Sequence, residues 1–308
     1  MSFKKILFFL FLTYGLQGTS QIPELSPLSK ISVLTSGPGD ILYSAFGHSA
    51  FRVRDVSQGI DVVYNYGVFD TSGENFYLKF SKGRMDYKLE RRSYRSYLRS
   101  YEIENRWVNE QLLDLSVPEK NKLFKFLEIN NLPENKVYQY DYFLNNCATK
   151  IWEVLKHNFG EQLFFDETYI TNQFTFRELI RQNIKTNSWG AFGIDLALGS
   201  VIDRKATPKE HLYLPDYVMR QLKVAHLNDS PITVKEESLL EAVTKEPASS
   251  FFTSPLFFIL IISIGILIAT YSDFIRKRRR RWLDFGIFLC TGSALVGRAR
   301  HSPARPST

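Results

Sequence analysis

Cysteine is scarce in this chain of 308 residues, which contains only Cys147 and Cys290. Cys290 follows a long apolar run near the C-terminus, so Cys147 is the single cysteine of the large N-terminal region. A disulfide framework is therefore excluded there. Histidine is also sparse, with five residues scattered along the chain, and these cysteines and histidines lack zinc-binding spacing. We expect neither a metal nor a cofactor.

Net positive charge is lacking outside the C-terminal tail. Residues 273–308 hold nine Lys or Arg and two Asp, and their net charge equals the formal +7 of the whole chain. The remaining residues are neutral overall, whereas binding to nucleic acid phosphates needs a basic surface on the folded region. We therefore expect no nucleic-acid partner.

Two long apolar runs set the topology. Lys4 and Lys5 precede an apolar stretch over 6–12, which is typical of a secretory signal peptide over 1–20. A second run over 251–272 is uncharged and long enough to span a membrane. A basic block over 276–281 follows it and stays cytoplasmic by the positive-inside rule, so the region before the span lies on the outer side.

The exported part divides into a folded region and a linker. Residues 21–225 are long enough to bury a core and form the domain that carries Cys147. Residues 226–250 are polar and rich in Ser, Glu and Lys, which predicts a stalk. The transmembrane helix over 251–272 and a basic cytoplasmic segment over 273–308 follow.

Residue patterns in the folded region predict the α+β class. β-Branched and aromatic residues alternate partly in segments that we expect to form one antiparallel sheet: 31–36, 49–54 and 60–66. Apolar residues have helical spacing in four segments. Three of them are 117–130, 174–183 and 212–222, and the fourth begins near Cys147. We expect the last two helices to be separated by a loop that contains Gly190, Gly193 and Gly199.

Cys147 lies at a predicted helix start, directly after Asn145 and Asn146. An Asn side chain there can cap the helix. The free N–H groups of the first turn favour an anion, so a thiol at this position ionises more readily than at its ordinary pKa of about 8.5. An adjacent imidazole would complete a nucleophile. A lone Cys at a helix start is also compatible with simple packing.

A base for this thiol has to come from the five histidines. His157 lies on the same helix, roughly 15 Å further along. His226 falls in the predicted stalk, and His301 lies beyond the membrane span. His211 sits in a loop or at a helix start, so His48 remains the better candidate.

His48 opens a predicted strand, which is the placement that papain-type thiol chemistry uses. In such sites a helix-borne Cys faces a sheet-borne His, and a third polar group orients the ring. Asn65 on the next strand is the candidate orienting group, and Asn146 is a supporting residue. The backbone N–H of Cys147 is a natural donor to an oxyanion.

Five segments together form a wider pattern. They are Tyr43-Ser44-x-Phe46-Gly47-His48-Ser49-Ala50-x-Arg52-Val53, Asp61-Val62-Val63-Tyr64-Asn65-Tyr66-Gly67, Tyr138-x-Tyr140-Asp141-Tyr142-Phe143-x-Asn145-Asn146-Cys147-Ala148-Thr149, Leu198-Gly199-x-x-x-Asp203 and Leu214-Pro215-Asp216-Tyr217. This pattern resembles the Lnb family of bacterial lipoprotein N-acyltransferases over about residues 25–275. The His-bearing strand and the Asn-Cys helix are its most specific part.

The resemblance implies a papain-like or NlpC-like thiol fold, in which an antiparallel sheet packs on the Cys-bearing helix, with extra helices and a C-terminal transmembrane helix. It implies a bacterial inner-membrane protein whose catalytic domain faces the periplasm, with Cys147 and His48 as the catalytic dyad. A membrane phospholipid would donate an acyl chain to Cys147, and the α-amine of a diacylglyceryl-cysteine lipoprotein would accept it from the thioester.

Two alternatives remain open. An NlpC-type thiol peptidase or amidase acting on peptidoglycan would use the same dyad, and a non-catalytic membrane-anchored envelope module would need no dyad. The C-terminus departs from the family, whose members continue with further membrane helices. From about Thr291 the chain instead consists of a tail rich in Gly, Ser, Arg and Pro. This composition indicates a truncated C-terminus or a shifted reading frame.

Overall fold

The computed structural model describes residues 22–68, 86–243, 250–277, 280–282, 285–286 and 288. The predicted signal peptide and most of the basic tail lie outside the described residues. Within them, a large antiparallel sheet carries helices on both faces, so the predicted α+β class is confirmed.

Seven strands form the main sheet, and all neighbouring strands are antiparallel. In chain order they are β1 (Lys30–Ser36), β2 (His48–Asp55), β3 (Ile60–Val68), β4 (Asp86–Ser93), β5 (Val108–Leu113), β6 (Val137–Gln139) and β10 (Thr233–Leu240). Their order across the sheet is β10-β5-β1-β2-β3-β4-β6. A second sheet consists of β7 (Leu163–Phe164), β8 (His226–Leu227) and β9 (Ser230–Pro231). The three strands predicted from the sequence are β1, β2 and β3, and they lie side by side.

The described residues also form eight α-helices. They are α1 (Tyr94–Ile103), α2 (Val117–Asn130), α3 (Cys147–Phe159), α4 (Phe176–Arg181), α5 (Trp189–Leu198), α6 (Pro208–His211), α7 (Pro215–Val224) and α8 (Pro255–Ile275). The predicted helices correspond to α2, α3, α4 and α7. A Ser116–Glu119 capping box sets the start of α2.

Side chains alternate between the two faces of a sheet along each strand. In the central strands of the main sheet, both faces are covered by packed side chains. On one face, Leu34 and Val63 pack with Tyr97 of α1. On the other, Val33 and Phe51 belong to the larger core with α2, α3 and α7. The central strands β2 and β3 therefore provide a rigid support for side chains at their ends.

Helix α3 packs its apolar face against β2 and β3. Ile151, Val154 and Leu155 recur at helical spacing and are buried there, as the sequence predicts. The helix ends at Gly160, whose positive φ of 58° suits glycine. Packing along this length fixes the start of the helix, at Cys147, over the sheet.

The stalk predicted over 226–250 is wrong for 226–240. These residues form β8, β9 and β10, and β10 pairs with β5 at the edge of the main sheet. An edge strand meets water along its length and tolerates charged side chains, so its polar composition resembles that of a linker. The folded region therefore extends to Leu240.

The predicted loop through Gly190 and Gly193 is also wrong, because both residues lie within α5. Gly190 packs close to Leu42: a Cβ at 190 would come within 2.9 Å of Leu42 Cδ1, so the Leu42 side chain would have to shift. The predicted membrane span corresponds to α8, whose mean hydropathy is 2.2 and whose apolar window is only 6% buried. By length and composition, α8 is suited to crossing a membrane.

Candidate active site

His48 is the first residue of β2 and directly follows Gly47, where the chain passes close to Ser36. Gly47 has a φ of +80°, and a Cβ at this position would lie 2.7 Å from the Ser36 carbonyl oxygen. Only glycine therefore permits this entry into the strand. Ser36 is paired with His48 across the β1–β2 ladder, which holds the imidazole at the end of the sheet.

Cys147 is the first residue of α3, and Asn146 is its N-cap. The Asn146 carboxamide oxygen accepts from the N–H groups of Ala148 and Thr149, each at 2.9 Å. Its amide group donates to the carbonyls of Tyr142 and Tyr213, both at 2.8 Å. The cap thus takes the second and third amides of the helix and leaves the Cys147 N–H outside the cap.

The structure brings together His48, Cys147 and Asn65, three of the residues singled out in the sequence. Asn146 directly precedes Cys147 in the chain. His48 and Cys147 lie next to each other, since both line the same side of Gly67 and each shifts the pKa of the other. Its Nε2 contacts Asn65 Oδ1, a group on the neighbouring strand β3. Because Asn65 engages Nε2, Nδ1 is the nitrogen left for the thiol. The arrangement is a thiol, an imidazole and an orienting amide in series.

Charge coupling makes this thiol more acidic than an ordinary cysteine. Burial raises the pKa of Cys147. The adjacent His48 imidazolium and a hydrogen bond from the Ser49 backbone N–H both lower it, and they outweigh the effect of burial. The net pKa of Cys147 is lowered. Burial lowers the pKa of His48, but the Cys147 thiolate raises it and the net direction is upward. The pair is therefore a thiolate and an imidazolium between the two pKa values.

Gly67 lies directly against the dyad. A Cβ at this position would lie 3.4 Å from Cys147 Cβ and 3.7 Å from His48 Cε1, and its φ is +92°. It sits in β3 where the pairing with β4 changes register between Asn65 and Val68. We did not single out Gly67 from the sequence. A glycine inside an aromatic, β-branched strand is the available signal, since it marks a bulge or a close approach.

Three tyrosines, one buried and two half-buried, lie near the thiol. Burial first, and then the Cys147 thiolate, raise the pKa of Tyr138 and Tyr140 well above the ordinary value, and that of Tyr87 to about 12. The Tyr87 and Tyr140 rings stack with centroids 3.9 Å apart. These phenols stay protonated, so they provide apolar walls and neutral hydroxyls beside the sulfur. The Tyr-x-Tyr-x-Tyr spacing over 138–142 was the sequence signal for them.

The remaining described histidines are engaged elsewhere. His157 packs against the ring of Phe126 at 4.7 Å. The Nδ1 of His211 contacts the Thr207 carbonyl at 2.8 Å, and burial lowers the His211 pKa. His226 lies in β8. Among the described residues, no three His, Cys, Asp or Glu side chains are grouped as metal ligands.

Comparison with known proteins places this site in a family. The model of the Lnb N-terminal periplasmic domain matches residues 24–182, slightly more than half of the chain. The chain belongs to the Lnb family. The match includes β2 and β3 and extends through the whole of α3, so it contains every residue of the site described above. No curated protein and no solved structure gives a match. For an Lnb chain, α8 following a periplasmic domain is consistent with a membrane-anchored periplasmic protein.

Proposed function

We propose that this Lnb protein is a lipoprotein N-acyltransferase that works through a Cys147 thioester. The observation that carries the proposal is the series of Cys147, His48 and Asn65, in which the thiol pKa is lowered and the imidazole pKa is raised. A buried packing cysteine needs neither a charged partner nor an orienting amide. Together with a periplasmic family domain and an adjoining apolar helix, this series supports acyl transfer at a membrane.

In the first half-reaction the Cys147 thiolate attacks the ester carbonyl carbon of a phospholipid. The carbonyl oxygen becomes an oxyanion, which the Cys147 N–H at the start of α3 can stabilise. Collapse of this intermediate breaks the bond to the glycerol oxygen. The His48 imidazolium gives its proton to that oxygen, and a lysophospholipid leaves while Cys147 carries the acyl chain as a thioester.

In the second half-reaction the α-amine of a diacylglyceryl-cysteine lipoprotein attacks the thioester. His48, now neutral, takes a proton from the amine, and the sulfur leaves as the thiolate. The products are an N-acylated lipoprotein and the original thiolate–imidazolium pair. Asn65 positions the imidazole in both halves through its contact with Nε2.

The environment of the sulfur favours an apolar acyl substrate. Gly67 places no side chain against Cys147 and His48, so it does not obstruct the approach of a reacting carbonyl. Tyr138 and Tyr140 are half-buried near the thiol and stay protonated. Their rings reduce access of water, which slows hydrolysis of a thioester and favours transfer to an amine.

The fold and the location fit the same proposal. The start of α3 lies over the His-bearing sheet, which is the papain-like arrangement that we infer for this domain. With α8 in the bacterial inner membrane, the tethered site stays near both phospholipid and lipoprotein. Tethering raises the effective concentration of these substrates without any further contact.

The test is capture of the acyl-enzyme. The Cys290→Ser protein, which keeps Cys147 as its only thiol, is reconstituted with a phospholipid labelled in its acyl chains. We expect label on Cys147 that hydroxylamine releases, and transfer to a diacylglyceryl-cysteine peptide when one is added. Cys147→Ala should give no label, and His157→Ala, which removes an imidazole outside the site, should label like the parent.

Two results would reject acyl transfer. Absence of a thioester together with cleavage of muropeptides by the same preparation would identify a thiol peptidase or amidase. Equal complementation of a lipoprotein-acylation defect by the parent chain and by Cys147→Ala would identify a non-catalytic envelope module.

A further inference from the structure

Helix α5 turns apolar side chains away from the protein. Trp189, Phe192 and Leu196 recur at helical spacing and are exposed, Leu196 to 70%. Its other face is tied to the domain, because Asp195 forms ion pairs with Arg177 and Arg181 of α4. The orientation of α5 is therefore fixed, and its apolar side points outward.

The N-terminal end of α5 is attached to the start of α8. The Trp189 indole N–H donates to the Thr253 carbonyl at 2.9 Å, and the Trp189 ring lies 5.7 Å from that of Phe258 in the first turn of α8. The Asn187 side-chain oxygen accepts from the Leu256 N–H at 2.9 Å. These contacts hold α5 beside the N-terminal end of the apolar helix.

The exposed apolar surface also continues toward the active site. The α5 backbone lies close to Leu42, because a Cβ at Gly190 would come within 2.9 Å of Leu42 Cδ1. Leu42 is half exposed and lies in the segment that leads through Gly47 to His48. Phe251 and Phe252, just before α8, are exposed as well. We call this surface the apolar rim: Leu42, Trp189, Phe192, Leu196, Phe251 and Phe252.

We propose that the apolar rim inserts into the outer-facing leaflet of the bilayer that α8 crosses. The position of α8 identifies the occupant, because the first turn of a spanning helix lies at the membrane–water interface. Groups bonded to that turn lie at the same depth. Trp and Phe are suited to this layer, and a helix with one apolar face lies along it.

Insertion has a consequence for the site. The rim joins the start of α8 to the segment before His48, so its insertion sets the height and orientation of the dyad relative to the lipid surface. A single tether would leave the domain free to rotate about α8. This proposal rests on α8 crossing a bilayer and not on the acyl-transfer chemistry.

The test measures depth directly. In the full chain with Cys147→Ser and Cys290→Ser, a nitroxide is attached to Leu196→Cys and the protein is reconstituted into phosphatidylethanolamine–phosphatidylglycerol vesicles. Collisions of the nitroxide with oxygen, which concentrates in lipid, are compared with collisions with a water-soluble nickel chelate. We expect the oxygen-to-nickel ratio at Leu196 to exceed that of an aqueous control several-fold.

Val56→Cys is the matched control. Val56 is apolar and 73% exposed, and it lies past the opposite end of β2 from His48, roughly 25 Å from it. If the Leu196 label collides with nickel as often as the Val56 label, the rim lies in water and the proposal is wrong. If the Leu196 label is shielded from both reagents, protein covers the rim and the proposal is also wrong. Neither readout involves acyl transfer, so the proposed function is tested separately.

Discussion

Helices α3 and α5 use apolar residues in opposite ways. In α3, Ile151 and Leu155 are fully buried against the sheet. In α5, Ala191 is the only buried residue, while Trp189 and Leu196 are exposed. A periodic apolar pattern fixes which side of a helix avoids water, but it does not say whether protein or lipid covers that side. Here α3 sets the chemistry, and we propose that α5 sets the position of that chemistry at a bilayer.

The largest effect is expected at the site that α3 presents. His48→Ala should reduce acyl-enzyme formation by about 10²- to 10⁴-fold, because the general acid–base group is lost. The pKa of the Cys147 thiol should rise, since burial still raises it while its strongest lowering influence is gone. In the Cys290→Ser background, the pH profile of iodoacetamide alkylation should therefore shift to higher pH.

His157→Ala is the control for this shift. His157 lies on α3 but packs against Phe126, so its removal should leave the alkylation profile unchanged. An unshifted profile for His48→Ala would mean that Cys147 and His48 do not titrate as a pair.

The difference between α3 and α5 is tested most directly by replacing one leucine with alanine in each helix. Leu155→Ala removes a fully buried side chain and should lower the free energy of unfolding by about 2–5 kcal/mol. Leu196→Ala removes an exposed one and should change it by less than about 0.5 kcal/mol in detergent. Denaturant unfolding of the detergent-solubilised chain, followed by tryptophan fluorescence, measures both. Equal losses would mean that Leu196 packs inside the protein.

A smaller change is expected at the helix cap. Asn146→Asp keeps acceptors for the N–H groups of Ala148 and Thr149 but places a carboxylate beside the thiolate. It also removes the amide group that donates to the carbonyls of Tyr142 and Tyr213. Like-charge repulsion should raise the thiol pKa, and a penalty on the order of 1.4 kcal/mol corresponds to a rise of about one unit, or about tenfold slower alkylation at pH values below the thiol pKa. The pH profile of the alkylation rate measures this.

Asn145→Asp makes the same change one residue earlier, where the side chain donates to the Gln139 carbonyl instead of capping α3. Its effect on alkylation should be smaller. If the two variants react equally fast, the charge next to the cap does not control the thiol.

Local patterns were sufficient for the elements that hold the dyad. Alternation predicted β2 and β3, helical spacing predicted α3, and the scarcity of cysteine and histidine directed attention to Cys147 and His48. Asn65 followed because a neighbouring strand is the natural source of an orienting group. Each of these inferences depends on a short stretch of sequence.

The missed features depend on contacts that are distant in sequence. The tyrosines near the thiol are assembled by the pairing of β4 with β6, in which Tyr87 faces Tyr138. The polar composition of β10 predicts a stalk, because no pattern within that segment indicates its pairing with β5. The glycines of α5 predict a loop because glycine disfavours helices, whereas in the fold Gly190 packs against Leu42, which is distant in sequence.

The smallest effect separates position from chemistry. Leu196→Glu places a charge on the apolar rim, far from any contact that the dyad makes, so alkylation of Cys147 should be unchanged. If the rim inserts, the charge should oppose insertion and slow acyl-enzyme formation from vesicle phospholipid by a few-fold, since a charged side chain near the interface costs about 1 kcal/mol or less. The rate with phospholipid in detergent micelles should not change, because a micelle can adapt to the displaced rim. The two rates, measured side by side for the parent and for Leu196→Glu, check this. An equal reduction in vesicles and micelles would assign the effect to the fold of α5 rather than to its contact with lipid.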